Sequence, residues 1–177
     1  YIIKRFDRTA DGGKIQSETM YQLLGSTDKY EGSLESIGKA IRAHAENVGL
    51  DTIDFFERVL FCFLIGNGDM HLKNWALLIR DKKASLAPVY DFVSSGVYFR
   101  REEDSALMIS AKKNKLKRSD FERFAAYLKI DPKAAANSFE KMKNAREKFR
   151  ELAISSELAP SKRQDLNDVI AERFKRL

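Results

Sequence analysis

Residues 53–79 impose the tightest constraint on this chain, because a long apolar stretch is interrupted once, by a dense polar loop, and then resumes. Ile53, Phe55, Phe56, Val59, Leu60, Phe63 and Leu64 make a helix that is apolar nearly all round, which requires burial on every side. Asp51 or Thr52 is read as its cap, with Asp54 in the first turn, where the helix dipole favours a carboxylate. Gly66-Asn67-Gly68-Asp69-Met70-His71-Leu72-Lys73-Asn74 then gathers a carboxylate, an imidazole, an ammonium and an amide within six positions, before Trp75-Ala76-Leu77-Leu78-Ile79 turns apolar again. Polar density held between two buried elements is how a site is built, and the two glycines let the backbone turn sharply at its entrance.

The surrounding sequence supports one globular domain. It has 177 residues, 44% of them hydrophobic and 33% charged. No window approaches the roughly 20 apolar residues needed to span a bilayer. The chain opens at Tyr1 with neither an initiator Met nor a charged-then-apolar leader, which reads as a fragment. Its lone cysteine, Cys62, lies in an apolar run, suits core packing and a reducing cytoplasm, and is no candidate nucleophile. The net charge of +6 permits anionic partners, but Lys and Arg are scattered, so nucleic-acid binding is permitted and not indicated. The densest basic run, Lys112 to Arg118, reads as a solvated turn with Asn114 in a left-handed position, with phosphate binding as the other reading.

Around the central stretch the expected elements are mostly helical. Tyr1-Ile2-Ile3 running into Lys4-Arg5-Phe6-Asp7-Arg8 reads as a strand with an exposed end, followed by a turn at Asp11-Gly12-Gly13-Lys14. The segment from Ile15 to Tyr30 shows no strong period, and Glu18, Met20, Tyr21, Leu23 and Leu24 fit a short helix. Leu34, Ile37, Ile41 and Ala45 predict a helix from Ser33 to Val48, ended by Gly49. Residues 75–80 and 84–90, separated by Asp81-Lys82-Lys83, predict a hairpin whose second strand is limited by Pro88, and Leu107-Met108-Ile109 predicts a short strand. Ser119 and Glu122 suggest a capping box, Asp131-Pro132 opens a helix reaching about Leu152, and a last helix spans Ser161 to about Arg176.

Asp69 and Asn74 are five positions apart, the separation of Asp and Asn in the H-R-D-x-x-x-x-N loop of protein kinases, where the Asp orients the acceptor hydroxyl and the Asn holds magnesium. A second hard ligand is required, and Asp91 lies across the expected hairpin, so the two strands return it toward Asn74. Asp91-Phe92 also follows the order of the kinase Asp-Phe-Gly segment, with Val93 in place of glycine. Singly, Asp69 reads as a turn residue, His71 as a buried histidine and Asp91 as a helix cap. Jointly, Asp69, His71, Lys73, Asn74 and Asp91 point to phosphoryl transfer. A two-histidine metal hydrolase is disfavoured, since the other histidine, His44, has no ligand-spaced partner.

With Gly66 to Asn74, Leu86-Ala87-Pro88-Val89-Tyr90-Asp91 and Lys4-Arg5-Phe6-Asp7-Arg8 in this order, the chain resembles the HipA-type serine/threonine kinases of bacterial toxin–antitoxin systems. The resemblance covers essentially all of residues 1–177 and implies a mainly α, α+β fold: the C-terminal lobe of a protein-kinase-like enzyme, a helical bundle with a small β-hairpin carrying the active-site loop. It implies ATP and Mg2+ as cofactors, Asp69 as catalytic base, and Asn74 and Asp91 as magnesium ligands. His71, Leu72 and Lys73 would line the nucleotide phosphates, Lys73 acting through its charge. Lys4, Arg5 and Phe6 would form the hinge touching adenine, with Lys4 where glutamate is common, and Tyr90 would sit beside the nucleotide. The resemblance further implies an N-terminal lobe with a Gly-rich loop and an ATP-binding lysine, so these residues alone are expected to bind nucleotide weakly. A DNA-binding antitoxin of the HipB type as partner, DNA contact only through it, and an aminoacyl-tRNA synthetase as protein substrate complete what it implies. Two alternatives stand beside it: a small-molecule kinase of the aminoglycoside or choline type, whose Gly-Asp-x-His-x-x-Asn loop has the same spacing, and a silent lobe binding an antitoxin or DNA.

Overall fold

A computed structural model describes residues 2–99 and 102–177. Its hub is α3 (Val48–Ile65), with Phe55, Phe56, Val59, Leu60, Phe63 and Leu64 buried. Full burial of one such side chain contributes about 1.5–3 kcal/mol, so other elements gather on this helix from all sides. Against it pack α2 (Leu34–His44), α5 (Pro132–Asn144) and α7 (Pro160–Phe174). Aromatic rings fasten the layers. Phe56 meets Phe139 of α5 edge-on at 5.7 Å, Phe63 meets Phe121 of α4 (Arg118–Tyr127) at 4.9 Å, and Phe55 meets Trp75 edge-on at 4.8 Å. The contact with Trp75 pins the exit of the polar loop to the middle of the helix that leads into it.

Three antiparallel strands lie at one end, in the order β1 (Gln16–Thr19), β2 (Ala76–Arg80), β3 (Lys83–Leu86). Thr19 pairs with Ala76, and Arg80 pairs with Lys83 across a two-residue turn. Asp81 and Lys82 both adopt positive φ, 49° and 64°, the backbone that matches a tight hairpin to the twist of its strands. Pairing of β1 then leads straight into α1 (Met20–Leu23), whose N-terminus Thr19 caps by accepting from the Gln22 amide.

The fold is the mainly α, α+β lobe expected from the sequence, with several local differences. Ile2 and Ile3 are exposed and no strand forms at residues 2–5, because no neighbouring strand among the described residues pairs with them; Tyr1 lies outside the described residues. The strand near the start is instead β1, in a segment without apolar alternation, held by its pairing with β2. The helix from Ser33 ends at His44, since Ala45 bridges to Ala84, and α3 starts at Val48 and takes Gly49 into its first turn. Asp51 does not cap that helix; it accepts from the Leu86 amide at 3.2 Å and so ties β3 to α3. Residues 107–109 contribute only isolated bridges, Met108 to Ser33 and Ile109 to Lys112.

Farther on, α4 begins at Arg118, with Asp120 accepting from the Lys117 amide at 2.9 Å in place of a cap at Ser119. The helix opened by Asp131, which accepts from the Lys133 and Ala134 amides, breaks at Ala145, and α6 (Arg146–Ser155) follows with Leu152 exposed and Ala153 buried. In the basic run the left-handed residue is Lys115, while the Asn114 side chain accepts from the Asp104 amide and donates to Glu103.

Candidate active site

The polar loop is fixed by its own backbone before any side chain is placed. Gly66 ends α3 in the left-handed region at φ 68°, and the next amide, of Asn67, reaches back to the Cys62 carbonyl at 2.9 Å. Gly68 is required by close approach: a Cβ there would stand 2.5 Å from the Glu103 carbonyl oxygen. Its amide donates to Ser95 Oγ at 3.0 Å. Met70 and Leu72 turn into the core, and the Leu72 amide donates to the Lys29 carbonyl at 3.0 Å. Leu72 therefore has only its backbone to offer a ligand.

On this frame the functional candidates fall into a connected set. The buried Asn67 accepts from the Asp69 amide at 3.2 Å and turns its own amide toward the Asp91 carbonyl. Asp69 is half-buried, and its Oδ1 accepts from the Tyr30 hydroxyl at 2.8 Å. The His71 amide donates to Asn74 Oδ1 at 3.2 Å, which orients the Asn74 side chain, and Asn74 Nδ2 donates to Asp91 Oδ2 at 2.6 Å. Asp91 itself has φ 58°, a conformation that costs a non-glycine residue about 1 kcal/mol or more and is held here where it delivers the carboxylate to Asn74. The hairpin thus returns the chain to the loop as its spacing requires.

His71 is buried, with Nδ1 unpaired, and its ring meets Tyr30 edge-on at 5.2 Å. Burial, and then the charge of Lys29, lower its pKa from the ordinary imidazole value, so the neutral ring is favoured. Lys73 is exposed, its ammonium 4.5 Å from the Tyr21 ring centre. Tyr90 donates to the Lys73 carbonyl at 2.7 Å, and burial pushes its phenol pKa up, with the neighbouring charge of Asp91 adding to the effect. The Tyr90 ring packs on Phe6 at 5.4 Å, within a small apolar cluster of Ile15, Ala76, Leu78 and Ala87 separate from the main core. Lys4 and Arg5 lie exposed at its edge, Arg5 paired with Asp7, whose carboxyl it holds at about 2.

Tyr30, Ser95 and Glu102 also belong to this neighbourhood without a sequence signal to find them. Glu102 lies against Gly68, and burial raises its pKa. Among the described residues no three His, Cys, Asp or Glu side chains converge as a metal cage. A divalent ion held here would rest on one carboxylate, Asp91, and one amide, Asn74, with its other ligands coming from water and phosphate oxygens. That donor set suits Mg2+, which keeps several waters and is commonly bound through one or two protein oxygens plus substrate phosphates.

A helical lobe with a small antiparallel sheet, whose hairpin brings an aspartate back onto a polar loop, is the architecture of a kinase C-terminal lobe. The chain belongs to the HipA-like C-terminal domain family, whose profile matches residues 1–149. It is 39% identical over 115 residues to Y4dM of Sinorhizobium fredii and 32% identical over 108 residues to a Haemophilus influenzae protein, both of which carry kinase names. Those matches take in 63% and 55% of this chain but 27% and 32% of the relatives, so the chain spans about a third or less of their length. Among solved structures it is similar to HipA of Shewanella oneidensis, determined with HipB and operator DNA, with a TM-score of 0.78 at 20% identity over 98% of this chain and 46% of that one. It is also similar to the Helicobacter pylori kinase CtkA, with a TM-score of 0.61 at 14% identity over 92% of this chain and 66% of that one. At these identities the structural likeness establishes the fold. Among the described residues no helix is long and apolar enough to cross a membrane.

Proposed function

We propose that the protein containing this lobe is an ATP-dependent serine/threonine protein kinase of the HipA type, working in the cytoplasm with a HipB-type DNA-binding antitoxin as partner. The observation that carries this reading is the Asn74–Asp91 contact of 2.6 Å on the loop that also presents Asp69. Asp69 is the group that orients the acceptor hydroxyl and takes its proton as the oxygen attacks the γ-phosphorus and the bond to the β-phosphate oxygen breaks. Asn74 and Asp91 would hold Mg2+, which when bound neutralises charge on the phosphates. The exposed Lys73 adds positive charge beside the same loop, and a neutral His71 orients Asn74 through its backbone amide without adding a second cation. Phe6 and Tyr90, with Lys4 and Arg5 at the rim, offer an apolar surface of the kind an adenine ring packs on.

Family membership and the kinase names of two relatives support this reading, and the solved HipA–HipB–DNA assembly supports an antitoxin partner. The acceptor is assigned to the class of protein hydroxyls, an aminoacyl-tRNA synthetase being the example that the resemblance favours. The test is transfer of labelled γ-phosphate from ATP by the full-length protein. Label on serine or threonine of a protein acceptor is the expected result. Label only on an aminoglycoside or choline overturns the acceptor class, and no label on any acceptor at saturating Mg-ATP overturns the enzyme reading.

A further inference from the structure

Tyr30 lies on the connection between α1 and α2, 39 positions from Asp69, yet its hydroxyl donates to Asp69 Oδ1 at 2.8 Å. The backbone of that connection is tied to the polar loop at Lys29, turned on itself at Asp28 and held from the basic run by Lys113. The Lys29 carbonyl accepts from the Leu72 amide at 3.0 Å, the Tyr30 amide donates to Asp28 Oδ1 at 2.9 Å, and Lys113 Nζ donates to the Tyr30 carbonyl at 3.4 Å. The phenol ring stands edge-on to His71, and the Lys29 ammonium sits 4.7 Å from its centre. Tyr30 is 41% exposed, and its hydroxyl is placed by the backbone ties around it and by the ring contact with His71.

An aspartate on a turn rotates freely about its side-chain bonds unless something holds one oxygen, and a base must keep the other oxygen toward the proton it takes. We propose that Tyr30 is a positioning residue for phosphoryl transfer: it clamps Oδ1 of Asp69 and leaves Oδ2 to meet the acceptor hydroxyl. This inference rests on the reading of Asp69 as the base. The rival role for the same hydroxyl is to fill the acceptor's place, as a block or as an acceptor itself. The ties at Lys29 and Lys113 favour the clamp, because a group in the acceptor's place must leave at every turnover.

The experiment compares Tyr30→Phe, Asp69→Ala and the double variant in the full-length protein, measuring kcat, KM for ATP and thermal melting. Tyr30→Phe keeps the ring against His71, so melting and KM for ATP are expected to stay within error of the parent, while kcat falls about tenfold, the scale of a lost hydrogen bond to a charged group. The double variant is expected to be no slower than Asp69→Ala, since Tyr30 acts through Asp69. Tyr30→Leu is expected to match Tyr30→Phe in kcat; a much larger loss accompanied by lower melting would assign the effect to ring packing and overturn the inference. An unchanged or raised kcat in Tyr30→Phe, losses that multiply in the double variant, or phosphate found on Tyr30 by mass spectrometry would overturn it too. Near-parental kcat in Asp69→Ala is a different failure: it removes the base reading whatever Tyr30→Phe does.

Discussion

His71 shows how one residue of the loop links chemistry to stability. Its depressed pKa means that the unfolded chain takes up a proton before the folded one does. Stability from the neutral ring is therefore complete above the ordinary imidazole value of about 6.5 and is lost as pH falls from there through the lower folded value. The carboxylates held low by their partners, Asp104 and Asp120, act at more acidic pH, below their ordinary value of about 3.9. Melting temperature is expected to drop on acidification from pH 7.5 to pH 5, and less steeply in His71→Asn; equal slopes for the two proteins would show that His71 does not carry the effect. At this scale the loop was legible because its polar residues are contiguous and their spacing has a chemical meaning. Tyr30 was not, since a single tyrosine in an irregular connection carries no period and its partner is distant in sequence. Leu72 is a different case: the resemblance places it beside the nucleotide, and its side chain fills the core, so any contact there belongs to its backbone.

Among the elements, the attachment of α7 depends on Asp104. Its carboxylate accepts from Arg176 at 2.7 Å and from the Leu116 amide at 2.9 Å and is paired with Arg173, while both guanidinium groups lie about 5 Å from the Phe63 ring. Burial works to raise the Asp104 pKa, but Arg176, the Leu116 amide and Arg173 together hold it below the usual carboxylate value. Asp104→Ala would leave two largely buried arginines with only the exposed Glu172 as counter-charge, and denaturant unfolding is expected to show a loss of about 3 kcal/mol. A loss under about 0.5 kcal/mol, the scale of an ordinary surface change, would mean that α7 is held by its apolar contacts alone. Periodicity located α2 and α3 well because each has apolar residues at helical spacing in continuous sequence. It could not locate the break at Ala145, which neither glycine nor proline marks, or β1, whose Gln-Ser-Glu-Thr sequence takes its conformation from a partner about 60 residues away.

At the scale of the molecule, α3 and the hairpin bring Asp69, Asn74 and Asp91 to one polar loop, but no Gly-rich loop or strand lysine facing them is found among the described residues. Positioning of a triphosphate in kinases is shared between two lobes, and half of that arrangement leaves much of the binding energy unrealised. Titration calorimetry of residues 1–177 with Mg-ATP is expected to show weak binding at most. Tight binding by these residues alone would show that they hold the nucleotide unaided.

The most direct test is single-turnover transfer from Mg-ATP by the full-length protein and its Asp69→Ala variant, under conditions where both bind nucleotide equally. A fall in the chemical step of about 100-fold or more is expected, the scale of a positioned base. A rate in Asp69→Ala close to that of the parent would contradict the role assigned to the loop on which the whole lobe is organised.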